Sequence, residues 1–167
     1  MRDSNIMDTH VLSRAFVSNK LLRLVETLAD QGQVLLESAA IEIPPRAIST
    51  VLMIGEIPDV TAADIATSLD QPHQVATQRI AALIKLGLIT KRPHPTDSRS
   101  KVLILTARGR EQYQSMMVIL EKIRAMMDAL FDEIGCDLAG KAVEAVAALK
   151  ARPLIERARE LGEGDAK

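Results

Sequence analysis

Between Thr61 and Gly109 the sequence repeatedly stops and restarts its own backbone. Thr61 is a good helix N-cap, and Asp64 follows at the third helical position, where the helix dipole favours a carboxylate. The short helix TAADIATSL ends near Leu69, and Asp70 and Gln71 make a turn. Pro72 opens the next helix where its missing N–H costs nothing, and that helix runs to about Leu86. Gly87 supplies the left-handed residue that closes it. Two β-forming runs follow, LITKR at 88–92 and KVLIL at 101–105, separated by Pro93 and HPTDSRS. Thr106 then caps another helix. Two short helices and a hairpin are the reading, one of few arrangements with a specific mechanical use.

Long helices are expected on both sides. Residues 8–40 read as one helix, with Leu12, Ala15, Phe16, Leu22, Val25, Leu28 and Ala29 at helical spacing and a bend or break marked by Gly32. Ile41–Pro45 is a connection, and a second helix reaches about Ile54 before Gly55 and Pro58. Residues 107–132 place Met116, Ile119, Leu120, Ile123, Met126, Met127 and Leu130 on one side. A last helix over 137–161 carries Leu138, Val143, Val146, Leu149 and Leu154, and Pro153 should kink or divide it; GEGDAK at the end reads as a frayed tail. The expected fold class is mainly α with a small β-hairpin wing. It is a winged helix-turn-helix at 45–106, flanked by long helices in 1–44 and 107–167.

Composition agrees. Aromatic residues make up 2 % of the chain (Phe16, Tyr113 and Phe131), while 47 % is hydrophobic. A core of aliphatic residues and seven methionines suits helix packing, and too few rings remain to stack single-stranded bases. The N-terminus lacks the apolar stretch of a signal peptide, and no run is long enough to span a membrane. The expectation is a soluble, cytoplasmic protein without membrane contact.

The formal net charge of −1 hides a strong asymmetry. Residues 79–110 contain Arg79, Lys85, Lys91, Arg92, Arg99, Lys101, Arg108 and Arg110 against the single acid Asp97, so the rest of the chain is acidic. Such clustering marks a local polyanion site.

On the helix opened by Pro72, Ala76, Ile80, Leu83 and Ile84 share a packing side. Gln74, Thr77, Gln78, Ala81 and Lys85 share the other, at i, i+3, i+4, i+7 and i+11. Amides and hydroxyls read base edges in the major groove, Ala81 allows close approach, and Lys85 is placed to meet a phosphate. An ordinary solvated face would carry several Glu and Lys, whereas 72–84 holds only Arg79. Beside this helix the hairpin tip offers Arg99 to the negative potential of a minor groove, and Asp97 is expected to hold a neighbouring arginine.

These residues resemble the MarR (multiple antibiotic resistance) family of regulators. The likeness runs from Thr61 through AALIKLGLITKR and the wing DSRSKVLILT at 97–106 to Gly109. Asp97, Arg99, Leu105, Thr106 and Gly109 fill the family's wing pattern, and the long flanking helices match its dimerisation region in order and length. The resemblance implies a homodimer joined through 1–44 and 107–167. Its two winged helices would grip successive major grooves of a pseudo-palindrome in double-stranded DNA, as a sequence-specific regulator, a repressor relieved by a small molecule. By position, His73, Gln74, Thr77 and Gln78 would address bases or nearby phosphates, Lys85, Arg92 and Lys101 the backbone, and Arg99 the minor groove. The chain departs from the family at Gln78, where an arginine is common, so the operator does not carry over.

The resemblance also implies a small aromatic effector between the flanking helices and the winged helix. Met53, Met116 and Met117 could line that pocket, although methionine at helical spacing reads first as plain core. Cys136, the only cysteine, reads as a buried, inert thiol. His10, His73 and His94 are scattered, so no metal site is expected, and no cofactor. No phosphate-cradling glycine loop or nucleophile–base pair is legible, so an enzyme is not expected. The competing reading is a winged helix used as a protein-interaction module without DNA binding.

Overall fold

The computed structural model describes residues 6–97 and 100–164. Its helices are α1 (Ile6–Thr9), α2 (Val17–Ser38), α3 (Ile48–Glu56), α4 (Ala62–Ser68), α5 (His73–Lys85), α6 (Ala107–Ile134), α7 (Leu138–Ala151) and α8 (Leu154–Gly164). Between α5 and α6 lies an antiparallel hairpin of β1 (Ile89–Pro93) and β2 (Lys101–Leu105). The chain divides into two compact units, residues 1–120 and 121–167, with α6 running from one into the other.

The first unit carries the core. Val51, Val60, Ile65, Ile80, Leu83, Leu88, Ile89 and Met116 are essentially inaccessible, so α3, α4, α5, the hairpin and the start of α6 share one hydrophobic centre. The hairpin register pairs Ile89 with Leu105 and Lys91 with Leu103. Beyond β2, the Leu103 N–H donates to the Val60 carbonyl (2.9 Å), and Thr61 bridges Val102. The segment that caps α4 is thereby stitched to the wing.

Helix ends follow one recurring device. At Ala40, Asp70, Gly87 and Gly135 the backbone turns left-handed, with φ of 54°, 49°, 71° and 62°. In each case the next residue's N–H reaches five residues back: Ile41 to Leu36, Gln71 to Ala66, Leu88 to Leu83 and Cys136 to Phe131. This closes orphan carbonyls that would otherwise go unpaired.

Three expectations about the flanking helices need correction. The helix expected over 8–40 is broken: α1 is a single turn, Ser13–Phe16 forms a 3-10 turn, and α2 begins only at Val17. Apolar spacing is nearly the same in a 3-10 turn as in an α-helix, so periodicity could not reveal the break. Gly32 causes none, as α2 runs through it. The second helix starts with a 3-10 turn at Pro45–Ala47 and continues past Gly55 to Glu56, because the fixed ring of Pro58 ends it rather than the glycine.

In the second unit Pro153 divides the last helix into α7 and α8. The Asp137 side chain caps α7 by accepting from Gly140 N–H (2.9 Å), and Arg152 pairs with Glu160 (3.1 Å). Of the expected frayed tail, residues 162–164 complete α8, and 165–167 lie outside the described residues. Cys136 is half-buried rather than fully buried.

Candidate nucleic-acid interface

The surface that could meet DNA is assembled by α4, the turn after it, α5 and the hairpin. Thr61 and Asp64 form a complete capping box at the start of α4. Asp64 Oδ2 accepts from Thr61 N–H (2.9 Å) and from the Thr61 hydroxyl (2.7 Å), while that hydroxyl accepts from Asp64 N–H (3.2 Å). The Thr61 hydroxyl and then its backbone N–H hold the Asp64 carboxyl below its ordinary range, with a smaller contribution from the charge of His94.

The angle between α4 and α5 is set locally. Asp70 takes the left-handed conformation, Pro72 starts α5, and Arg79 reaches back from α5 to donate from Nη1 to Gln71 Oε1 (2.6 Å). The one charge expected on the reading helix is therefore half-buried and committed to its own turn. A shallow groove of about 500 Å³ lies over this turn, lined in part by Thr67, Asp70, Pro72 and His73.

Ala76, Ile80 and Leu83 bury the inner face of α5. Ile84, expected to pack with them, is 38 % exposed; it lies beside the burial stripe rather than within it. His73, Gln74, Thr77, Gln78, Ala81 and Lys85 are all exposed. His73 Nδ1 and the Thr77 hydroxyl lie 3.4 Å apart, one helical turn on, so these two polar groups present themselves together.

The hairpin is locked to α5 and α6 through Thr106. Its hydroxyl donates to the Gly87 carbonyl (2.7 Å) and accepts from Gly109 N–H (2.9 Å), while Thr106 N–H donates to the Leu88 carbonyl (3.0 Å). This explains the Thr-x-x-Gly spacing: a Cβ on Gly109 would run into the Leu88 carbonyl oxygen. The left-handed Gly87 is what brings those carbonyls round to α6.

The basic cluster resolves into two kinds of residue. Arg79 binds Gln71, Arg110 donates to the Leu105 carbonyl (3.0 Å), and Arg108 pairs with Glu42 and donates to the Leu86 carbonyl (3.2 Å). These three hold the protein to itself. Glu42 raises the proton affinity of Arg108, first by the hydrogen bond and then by its charge. Lys85, Lys91, Arg92 and Lys101 stay exposed around the polar face and the hairpin. Asp97 is exposed at the tip, and Arg99 lies outside the described residues.

Arg92 also lines a groove of about 540 Å³ with Ile54, Ile57, Leu103, Arg110 and Tyr113. Tyr113 donates to Glu56 Oε1 (3.2 Å); burial, then this bond and the carboxylate's charge, raise the proton affinity of its phenol. Met53 and Met116 are buried in the core and Met117 is half-buried; none of the three lines this groove.

Sequence reasoning did not anticipate three of these positioning contacts: Arg79 with Gln71, Arg108 with Glu42, and a role for His94 in the wing loop, described below. A charged residue alone on a polar helix face was the only available signal for the first. Among the described residues no His, Cys, Asp and Glu side chains group as metal ligands, and no helix is long and apolar enough to cross a membrane.

Two short helices at a fixed turn, with a hairpin docked beside the second, define a winged helix-turn-helix. Residues 41–100 match the MarR family. Solved structures share the fold across most of the chain. The transcriptional repressor CouR, bound to a 23-mer DNA duplex, is 23 % identical with a TM-score of 0.64, over 90 % of this chain and 99 % of that one. The S. aureus MepR–DNA complex is 17 % identical with a TM-score of 0.63, over 81 % and 97 %. The heme sensor PefR from Streptococcus agalactiae, in complex with heme, is 21 % identical with a TM-score of 0.56, over 89 % and 97 %. No curated protein sequence matches the chain.

Proposed function

We propose that the chain is a cytoplasmic transcription regulator that binds double-stranded DNA as a homodimer, acting as a repressor released by a small-molecule effector. It is not an enzyme in this reading. The observation that carries the proposal is the outer face of α5: Gln74, Thr77, Gln78 and Ala81 are exposed, its only charge before Lys85 is turned away to Gln71, and exposed cations flank it. A surface of amides and hydroxyls ringed by Lys and Arg matches base edges bordered by phosphates. In this assignment His73, Gln74, Thr77 and Gln78 read bases, Lys85, Arg92 and Lys101 neutralise phosphates, Arg99 enters the minor groove, and Asp97 positions the wing.

Support for the homodimer lies in each unit taken alone. Along α2, Val17, Leu21, Leu22, Val25 and Leu28 are exposed. In the second unit α7 buries no residue at all, and Val143, Val146, Leu149, Leu154 and Ile155 face solvent. Apolar stripes of this size need a partner surface, and residues 1–44 and 107–167 supply it in a second copy. Two-fold symmetry then places the reading helices on a pseudo-palindrome with half-sites about 34 Å apart. The effector reading rests on the resemblance and on the presence of an amphipathic groove; a ligand acts only by preferring one separation of the reading heads.

Selection of bound duplexes from a random pool tests the proposal. Two inverted half-sites are expected, and Gln74→Ala or Gln78→Ala should change the selected base at one pair per half-site, at about 1–3 kcal/mol each. Recovery of no sequence preference would assign the α5 face to backbone contact alone.

A further inference from the structure

His94 lies at the exit of β1, where the chain turns into the wing loop. Its ring nitrogen Nδ1 accepts from the backbone N–H groups of Thr96 and Asp97, each at 3.2 Å, and lies 3.3 Å from the Thr96 hydroxyl. The loop is closed behind this contact: His94 N–H donates to the Ser100 carbonyl (3.2 Å), and Ser100 N–H donates to the Asp97 carbonyl (3.0 Å). One nitrogen thus gathers the backbone on the near side of the tip and holds it against the far side. An Asn or Asp oxygen commonly organises a turn in this way. An imidazole can do so only while Nδ1 has a free lone pair, which requires the neutral ring with its proton on Nε2.

The geometry points to His94 as the positioning residue of the wing, holding Thr96 and Asp97 in their DNA-competent arrangement only while the ring is neutral. The inference rests on the DNA-binding reading above and extends it to a dependence on pH. Protonation would set an N–H at Nδ1 against two N–H donors, and the loop must then open or the ring must turn away. Charged groups face the ring from three elements. They are Asp64 on α4, whose carboxyl the charge of His94 reaches, Asp97 in the loop, and Lys101, opposite Pro93 across the hairpin. A protonated ring released from the loop has the Asp64 carboxylate as a nearby partner.

The test compares the wild type with His94→Asn, which keeps an acceptor and cannot titrate, and His94→Ala, which has none. Affinity for a selected duplex is measured from pH 8 to 5.5 at a fixed salt of about 0.1 M, where charge gained by the ring would strengthen binding and so works against the expected fall. At pH 8, His94→Asn should bind within about 2-fold of wild type and His94→Ala about 2–10-fold more weakly, the range expected for one or two lost hydrogen bonds. As pH falls across this range, wild type should drop to the level of His94→Ala while His94→Asn holds. Equal binding by wild type and His94→Ala at pH 8, or parallel acid profiles for wild type and His94→Asn, would overturn the inference. Amide-exchange protection of Thr96 and Asp97, read by NMR without DNA, should follow the same order. If no protein binds any duplex, the DNA reading fails, and amide protection alone decides whether His94 holds the loop.

Discussion

Gly109 shows how one missing methyl group connects the wing to the rest of the fold. Its N–H caps onto the Thr106 hydroxyl, and its bare Cα lies against the Leu88 carbonyl, which itself accepts from Thr106. The obstacle is backbone and cannot rotate aside. Gly109→Ala should therefore lower stability by about 2–3 kcal/mol, read as a fall in the denaturant midpoint. A change under a few tenths would mean that the first turn of α6 is not packed as described. At Thr61 and Asp64 the account is electrostatic. The folded carboxyl has a lowered proton affinity, so the cap stabilises above the ordinary aspartate range and is lost as pH falls through the folded value. Asp64→Ala should be less stable than wild type at neutral pH, and the gap should close below about pH 4. A gap that persists unchanged in acid would place Asp64's contribution outside the cap. Residues of this kind were legible in part: Thr61, Asp64, Thr106 and Gly109 announce themselves by type and spacing. The arginines did not, because a sequence shows charge but not whether Arg79, Arg108 and Arg110 spend it inside the molecule.

At the scale of elements, legibility followed the chemistry of the helix ends. Gly87 marks the end of α5 because glycine tolerates the left-handed turn, and the hairpin strands follow at once. Ala40 closes α2 with the same hydrogen bonds but carries a methyl group at φ 54°, so nothing in the residue type flags it. The cost of that methyl is about 1 kcal/mol. Ala40→Gly should recover about 0.5–1 kcal/mol of stability, visible as a raised denaturant midpoint, whereas destabilisation would show that the alanine side chain is needed where it stands. The break before α2 was hidden for a related reason: apolar residues at 12, 15 and 16 satisfy the helix period and the 3-10 turn alike. The reading helix was the clearest element, since the contrast between its buried Ala76, Ile80 and Leu83 and its exposed amides is written in residue type.

For the whole molecule, the two units differ in what they bury. Residues 1–120 enclose the core around Ile65, Leu83 and Met116, whereas α7 and α8 leave their apolar side chains open, Leu154 at 70 % exposure. Helices of this length are marginal in water without tertiary support. Under the proposed homodimer that support would come from the second copy, and duplex binding would depend on it. Val146→Glu with Leu154→Glu should shift the mass measured by light scattering from dimer to monomer and weaken duplex binding by at least tenfold. A doubly substituted protein that remains dimeric would move the interface elsewhere.

Duplex affinity measured against salt bears most directly on the central assignment of α5 and the wing to DNA. Lys85, Lys91, Arg92, Lys101 and Arg99, present twice in a dimer, suffice to neutralise about 6–10 phosphates. Affinity should then fall by about 10³–10⁵-fold between about 50 and 200 mM salt, on a straight line in the logarithms. Binding that ignores salt, or no binding to any duplex in dilute buffer, would contradict the account.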